Sequence, residues 1–342
     1  MSWQYWSSGV IYTGVGLLWL PFMLKYRITP YHLIYANPGL PYGGMEIGSK
    51  GDVLDHLKGT PYFLAHLKLN NTVDVSQNIR SFECFMETSG VGFPVIAKPD
   101  LGCIGFGVRR VESVQDLAGI LQRSPVDYLV QEYCDLPKEY SIFFVRLPGE
   151  PRGIVPSLTE KFIPTVTGNG ASTTRELVAD DPRYHHNRSA LLSHAKDLDR
   201  IPPAGERVDL LVQASHTYGT FFYDRNDRVD DRLVDWMNRL CREIPSFQFI
   251  RFDVKAAGDA SLTTGEEIKI LEVNGCMSEP IHMYDPGHRL AFGIRAFYRF
   301  YDMAFQVAKA NKPRGERPPF AGMTRAFRRF FKNKREIMRT IG

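Results

Sequence analysis

No CxxC pair occurs in this 342-residue sequence, and its five cysteines, Cys84, Cys103, Cys134, Cys241 and Cys276, are scattered. Neither a zinc-type spacing nor a disulfide framework is indicated, and a reducing, cytosolic setting is the simplest expectation. Basic charge is missing from the start: no Lys or Arg precedes Lys25, so a secretory signal is not expected. Long apolar runs are missing too. The stretch from Gly9 to Leu24 is broken by glycines and Pro21, and it falls short of the ~20 residues that cross a bilayer. No GxGxxG opens a helix and no GxxxxGK is present, which removes the Rossmann fingerprint and the P-loop. There is no internal repeat. The net charge of +4 hides an imbalance: the segment 309–342 carries 11 Lys/Arg and 2 Glu, leaving residues 1–308 at −5. A mildly acidic body argues against a nucleic-acid partner.

The two ends stand out. Trp3, Tyr5, Trp6, Tyr12 and Trp19 crowd the first 27 residues, and such rings favour a water–lipid interface. At the other end, TRAFRRFFKNKREIMR sets Phe327, Phe330, Phe331, Ile337 and Met338 among cations. A basic amphipathic helix suits an anionic membrane surface. Two readings stay open at each end: peripheral membrane contact through residues 1–27 and 324–340, or apolar faces docked on the protein itself. Between them, helices are expected near 78–87, 113–122 with Ser113 as cap, 231–243 and 290–308. Strand-like runs fill much of 93–145.

The stretch RFDVKAAGDASLTTGEEIKILEVNG begins at Arg251. Side chains alternate along a strand, so Ile250, Phe252 and Val254 share one face and Arg251, Asp253 and Lys255 the other. Glu272 and Asn274 share a face on the second run. Turn formers lie between, and a hairpin would set Asp253 beside Glu272 and Asn274, next to Arg251. A solvated hairpin face explains any one of these residues. The set calls for more, because two adjacent carboxylates repel unless a cation sits between them. Hard oxygens with few protein donors suit magnesium, which leans on substrate phosphates.

A phosphate site should therefore exist elsewhere. In FPVIAKPDLGCIGFGVRRVES a strand presents Lys98, then Gly102, Gly105 and Gly107 form a loop before a second strand. Glycines let backbone N–H groups approach an anion, and lysine adds a point charge. A glycine-rich hairpin turn looks the same. In DYLVQEYCDLPKEYSIFFVR a strand ends in a connector, with Glu132 and Glu139 on either side. Its backbone can meet an adenine edge and a carboxylate can take ribose hydroxyls; the alternative is two solvated charges at strand ends.

PVIAKP, the glycine loop, QEYCDLPKE and RFDVK…ILEVNG, in this order over residues 93–285, resemble the ATP-grasp superfamily, in particular D-alanine–D-alanine ligase-like enzymes and cyanophycin synthetase. The resemblance implies an α+β ATP-grasp fold, with two subdomains clasping the nucleotide behind a reduced N-terminal segment. With the composition of the two ends, the expected division is an arm over 1–29, a preceding segment over 30–92, the ATP-grasp domain over 93–308 and a basic tail over 309–342. Lys98 is similar to a strand lysine on the α- and β-phosphates, and Gly102, Gly105 and Gly107 to the closing loop. Glu132, Tyr133, Cys134 and Asp135 match the adenine connector, and Glu139 the ribose carboxylate. Lys161 is similar to a second phosphate lysine, and Lys50 loosely to an earlier one. Asp253, Glu272 and Asn274 match ligands of magnesium, with two ions expected (manganese is the alternative), and Arg251 an arginine that steadies the tetrahedral intermediate. FIPTVTGNGASTTREL is similar to a substrate loop of the cyanophycin synthetase type, with Ala171 where a lysine often stands; Thr167, Asn169, Ser172 and Thr173 could still offer hydrogen bonds. His216 and Gly219 are candidates for the same cavity.

The expected activity is ATP-dependent joining of a small carboxylate to an amine, or to a thiol, through an acyl-phosphate. Two alternatives remain: a phosphotransferase on the same scaffold, and a non-catalytic nucleotide-binding protein at a membrane.

Overall fold

The computed structural model describes residues 19–45, 47–101, 105, 107–185, 188–195, 197–211, 219–313 and 319–340. Helical backbone over 19–26, here α1, leads through a 3-10 turn at Pro30–Ala36 to the short helix α2 (Lys50–Leu54), capped by the Ser49 side chain. Strand β1 (His66–Leu69) and helix α3 (Val75–Ser89) follow. Asp74 caps α3, and Gly90 closes it in the left-handed region at φ 73°, where a side chain would be strained.

The next elements are β2 (Val95–Pro99), β3 (Arg109–Val111), α4 (Val114–Arg123) and β4 (Tyr128–Glu132). Ser113 does cap α4, accepting from the Asp116 N–H. These strands form an antiparallel sheet in the order β1-β4-β2-β3. Its apolar side is covered by Phe82 of α3 and by Leu117, Ile120 and Leu121 of α4.

The larger sheet holds β5 (Lys138–Val145), β6 (Ile154–Phe162), β9 (Phe221–Asp224), β10 (Phe249–Ala256) and β11 (Ile268–Asn274), in the order β11-β10-β5-β6-β9. Between β6 and β9 lies a satellite of β7 (Thr165–Thr167), α5 (Thr174–Asp180), α6 (Arg188–His194) and β8 (Arg207–Asp209), with its own small core around Val166, Val178 and Tyr184. Thr173 and Glu176 form a capping box at the start of α5, satisfying N–H groups the first turn leaves open.

Period-two alternation decides what each face of the large sheet does. Tyr140, Ile142 and Phe144 of β5 and Ile250, Phe252 and Val254 of β10 point into one buried core. There they meet Leu233, Trp236, Met237 and Leu240 of α7 (Asp231–Glu243), whose 3.6-residue stripe is apolar. Truncating a fully buried ring such as Phe252 to Ala would cost ~3–5 kcal/mol. The opposite face carries Glu139, Ser141, Lys161, Arg251 and Asp253. The β10–β11 connection contains a short helix, α8 (Asp259–Thr264), closed by Gly265 at φ 74°. The same Gly, Asp, Ser and Thr residues that form turns also start and stop helices, so an expectation of turn alone missed it.

A third core gathers Phe22 of α1, the long helix α9 (Leu290–Asn311) and the start of α10 (Phe320–Thr340). The basic tail is helical as its pattern implies. Its apolar side, however, is docked: Met323, Ala326 and Phe330 pack beside α9, and Ile337 reaches the core of the small sheet. Phe331 and Met338 stay exposed.

Candidate functional site

The polar face of the large sheet brings the acidic residues together by register. Asp253 lies opposite Glu272 on β11 and opposite Ser141 on β5, and Arg251 lies opposite Asn274. Glu139 sits between Lys255 and Lys161 on its two neighbouring strands. The register slips between Asp253 and Val254, leaving Leu271 as an extra residue of β11. Such a bulge re-aims the groups around it, and the Leu271 carbonyl accepts a 3.2 Å hydrogen bond from Lys98 Nζ.

Every carboxylate on this floor meets a cation. Lys161 Nζ lies 3.1 Å from both Glu139 Oε1 and Asp253 Oδ1. The Arg251 guanidinium is 3.4 Å from Asp253, and Asn274 Nδ2 donates to Asp253 Oδ2 at 3.1 Å. Lys50 Nζ contacts Glu272. Burial alone would push both carboxyls up. Arg251 and Lys161 outweigh it at Asp253, which is held below the usual range, and Lys50 and Lys98 outweigh it at Glu272, held at about 2. Burial pulls Lys98 down to about 8, the opposing pull of Glu272 notwithstanding. At Lys161 burial is outweighed by Asp253 and Glu139, and its pKa is raised.

Both carboxylates are therefore ionised at neutral pH, on adjacent strands and beside an amide side chain. Hard oxygen donors of this number suit magnesium with most of its ligands supplied by water and phosphate. Among the described residues, no three or more His, Cys, Asp or Glu side chains gather as a metal-holding group, so an all-protein cage is not what the floor offers. Lys50, Lys98, Lys161 and Arg251 outnumber Glu139, Asp253 and Glu272 by one charge. A surplus of cations among buried and half-buried side chains favours an anionic ligand.

The small sheet supplies the other wall. Lys98 Nζ donates to Gln131 Oε1 at 2.8 Å, with both side chains buried. Lys50 is aimed by the turn before it: the Asp100 carboxylate accepts from Ser49 Oγ at 2.9 Å and from the Gly51 N–H at 3.0 Å, and pairs with Lys68 at 2.7 Å. Beyond β4, the Glu132 carboxylate accepts the Ala65 N–H at 3.1 Å, so it staples β1's approach to the sheet. Lys255 Nζ donates to the Cys134 carbonyl at 3.0 Å and lies over the Tyr133 ring, whose other contact is Arg110, 4.7 Å from the centroid. Asp135 is exposed beside them.

Of the loop glycines, Gly105 and Gly107 are left-handed, at φ 79° and 74°, while Gly102 lies outside the described residues. A Cβ on Gly107 would come within 2.9 Å of Pro99 and 3.0 Å of the Tyr128 hydroxyl, so the end of the loop is seated against β2 and β4. His216 also lies outside the described residues. Asn169 and Ser172 tie the loop before α5 to itself, Asn169 Oδ1 accepting the Ala171 and Ser172 N–H groups.

The residues grouped by register and contact are thus Lys50, Lys98, Glu139, Lys161, Arg251, Asp253, Glu272 and Asn274. Gln131, Lys255 and the Leu271 carbonyl belong with them and escaped sequence reasoning. A glutamine inside the apolar run YLVQE was a usable signal, as was Lys255 sharing the face of Asp253. The Leu271 carbonyl left none, since a bulge is not written in side chains.

No family model matches the chain, and no curated protein matches it. Solved structures similar to it include the D-alanine–D-alanine ligase of Bacillus anthracis, 12% identical with a TM-score of 0.43, covering 78% of this chain and 68% of that one. The VanG D-Ala:D-Ser ligase of Enterococcus faecalis is 13% identical, with a TM-score of 0.43 and coverages of 77% and 62%. A bifunctional glutathione synthetase from Pasteurella multocida is 17% identical, with a TM-score of 0.37, over 75% of this chain and 35% of that one. This chain thus spans about a third of the length of the Pasteurella protein.

Proposed function

We propose that the chain is an ATP-dependent ligase of the ATP-grasp kind, joining a small carboxylate to an amine. The observation that carries this reading is the floor of Asp253, Glu272 and Asn274, set within a surplus of buried and half-buried cations drawn from both sheets and from α2. In it, Lys98 and Lys161 hold phosphate oxygens, and Lys50 joins them from α2. The loop of Gly102, Gly105 and Gly107 covers the triphosphate. The connector Glu132, Tyr133, Cys134 and Asp135 takes the adenine edge through its backbone, and Glu139 the ribose. Two magnesium ions, when bound, would screen charge on the phosphates; Asp253, Glu272 and Asn274 would hold them.

Attack of the substrate carboxylate on the γ-phosphate gives an acyl-phosphate and ADP. The amine then attacks the acyl carbon and phosphate leaves. Arg251 stabilises the oxyanion formed in that step, where fixed charge in a dry site acts most strongly. Loop closure keeps water from the acyl-phosphate. In this reading residues 93–308 are the catalytic unit, 1–29 and 30–92 precede it, and 309–342 form the tail. We place the protein in the cytoplasm, peripherally on its membrane. Free Cys84, Cys134, Cys241 and Cys276 suit a reducing compartment, and among the described residues no helix is long and apolar enough to cross a bilayer.

The test is phosphate release from ATP across amino acids and dipeptides, with mass spectrometry of the products. An amide plus free phosphate is expected; a stable phosphoester would make the protein a phosphotransferase instead. Asp253→Ala and Glu272→Ala should abolish turnover while circular dichroism stays native. Full activity in either folded variant would remove the metal assignment.

A further inference from the structure

We infer that the protein docks on an anionic lipid surface through the outward faces of α1 and α9, with α10 supplying most of the charge. This rests on the peripheral attachment proposed above and is independent of the ligase chemistry. Amphipathic sequence alone leaves the tail's apolar face to lipid or to the protein itself. Packing settles part of it, because Met323, Ala326, Phe330 and Ile337 are already buried in the protein's own cores while Phe331 and Met338 stay outward.

Beside Phe331 and Met338 of α10, outward apolar residues lie on the neighbouring helices. Leu20 and Leu24, one turn apart on α1, are 54% and 80% exposed. Ile294 and Tyr298, one turn apart on α9, are exposed as well. The helices are locked side by side: Phe22 meets the Tyr298 ring at 4.7 Å, Trp19 meets Tyr301 at 5.6 Å, and Lys25 pairs with Asp302 at 2.7 Å. Phe320, at the start of α10, lies edge-on against exposed Tyr31 at 4.8 Å. The three helices share one core, and α1 and α9 are held in direct contact.

Charge selects the occupant. Arg295 and Arg299 border the α9 stripe, and Arg325, Arg328, Arg329, Lys332, Arg335 and Arg339 are exposed on α10. Against them stand Asp302, already paired, and Glu336. Isolated leucines and a tyrosine ringed by cations make no groove for a folded partner. They match a plane of apolar chains under anionic headgroups, where aromatic rings and basic side chains both settle. The chain enters α1 from residues whose sequence is itself apolar and rich in Trp and Tyr. Each basic residue near such a surface contributes about fivefold to partitioning.

The full-length protein is floated with vesicles of phosphatidylcholine alone and of phosphatidylcholine with phosphatidylglycerol, at low and raised salt. Flotation only with the anionic vesicles, weakened by salt, is expected. Leu20→Glu with Leu24→Glu should lower the bound fraction at least about tenfold, and Arg328→Glu with Arg329→Glu should lower it and reduce its salt dependence, both with native circular dichroism. If wild type floats and the leucine pair does not matter, this surface is wrong while attachment stands. If wild type does not float, both fall. If the leucine variant instead breaks a dimer seen in sedimentation, the face is a contact between copies and the lipid assignment fails. Phosphate-release activity on soluble substrates should be unchanged in both variants.

Discussion

Lys161→Met isolates the electrostatics of the site. The ammonium is 3.1 Å from two carboxylates, with only 7% of its side chain exposed. Breaking a buried ion pair from one side leaves an uncompensated charge, at about 3–5 kcal/mol. Asp253 keeps Arg251 at 3.4 Å and Asn274 at 3.1 Å, so the lower end, ~3 kcal/mol, is the better figure. For a protein of this size that corresponds to roughly 4 °C in Tm. The floor also becomes hungrier for a divalent cation, since the variant has lost one positive charge beside the same acids. Magnesium should therefore raise the Tm of Lys161→Met more than that of wild type, without nucleotide present. Adding Glu139→Gln should recover part of the lost stability, because the two residues share one interaction. The assay is thermal unfolding of all three proteins with and without millimolar magnesium. A variant melting within about 1 °C of wild type and blind to magnesium would refute both the counter-ion role and the metal reading.

Two other expectations follow from the same geometry. The Glu272 carboxyl titrates at about 2 in the folded chain against an ordinary 4.5, so the unfolded chain binds more protons between those values. Its contribution is complete above about pH 4.5 and is lost as pH falls through about 2. Discounted for the 30% of the side chain that water reaches, it is worth ~2 kcal/mol, and Glu272→Gln should flatten that part of the urea-midpoint curve. Gly107→Ala places a Cβ at φ 74° within 2.9 Å of Pro99; a loss of ~1–3 kcal/mol is expected, and an unchanged Tm would mean the loop end is not seated as described.

The sequence makes some of this legible and hides the rest for physical reasons. Period two separates Ile250, Phe252 and Val254 from Arg251, Asp253 and Lys255, and the coordinates keep that division. The residue order around Lys98, Glu132 and Glu272 carries the family resemblance without saying which side chains touch. Glu132 spends its carboxylate on the Ala65 N–H, a contact between distant segments that no local pattern encodes. The strand HLKL is equally silent about its partner, since its register with β4 is fixed only when the sheet assembles. The tail shows the sharpest limit. An amphipathic helix states that one face must leave water, but the hydrophobic effect has no direction, and the same pattern serves lipid or the protein's own core.

The last helix has a mechanical meaning. Met323, Ala326 and Phe330 anchor its first half beside α9, and Ile337 anchors its far end in the small sheet. At 1.5 Å per residue its 21 residues form a rod about 30 Å long. Such a rod resists stretching far more than it resists tilting. Movement of the small sheet against the large one must therefore pivot about the rod's two ends, and a chain cut before Phe320 would free that movement while stripping cover from both cores.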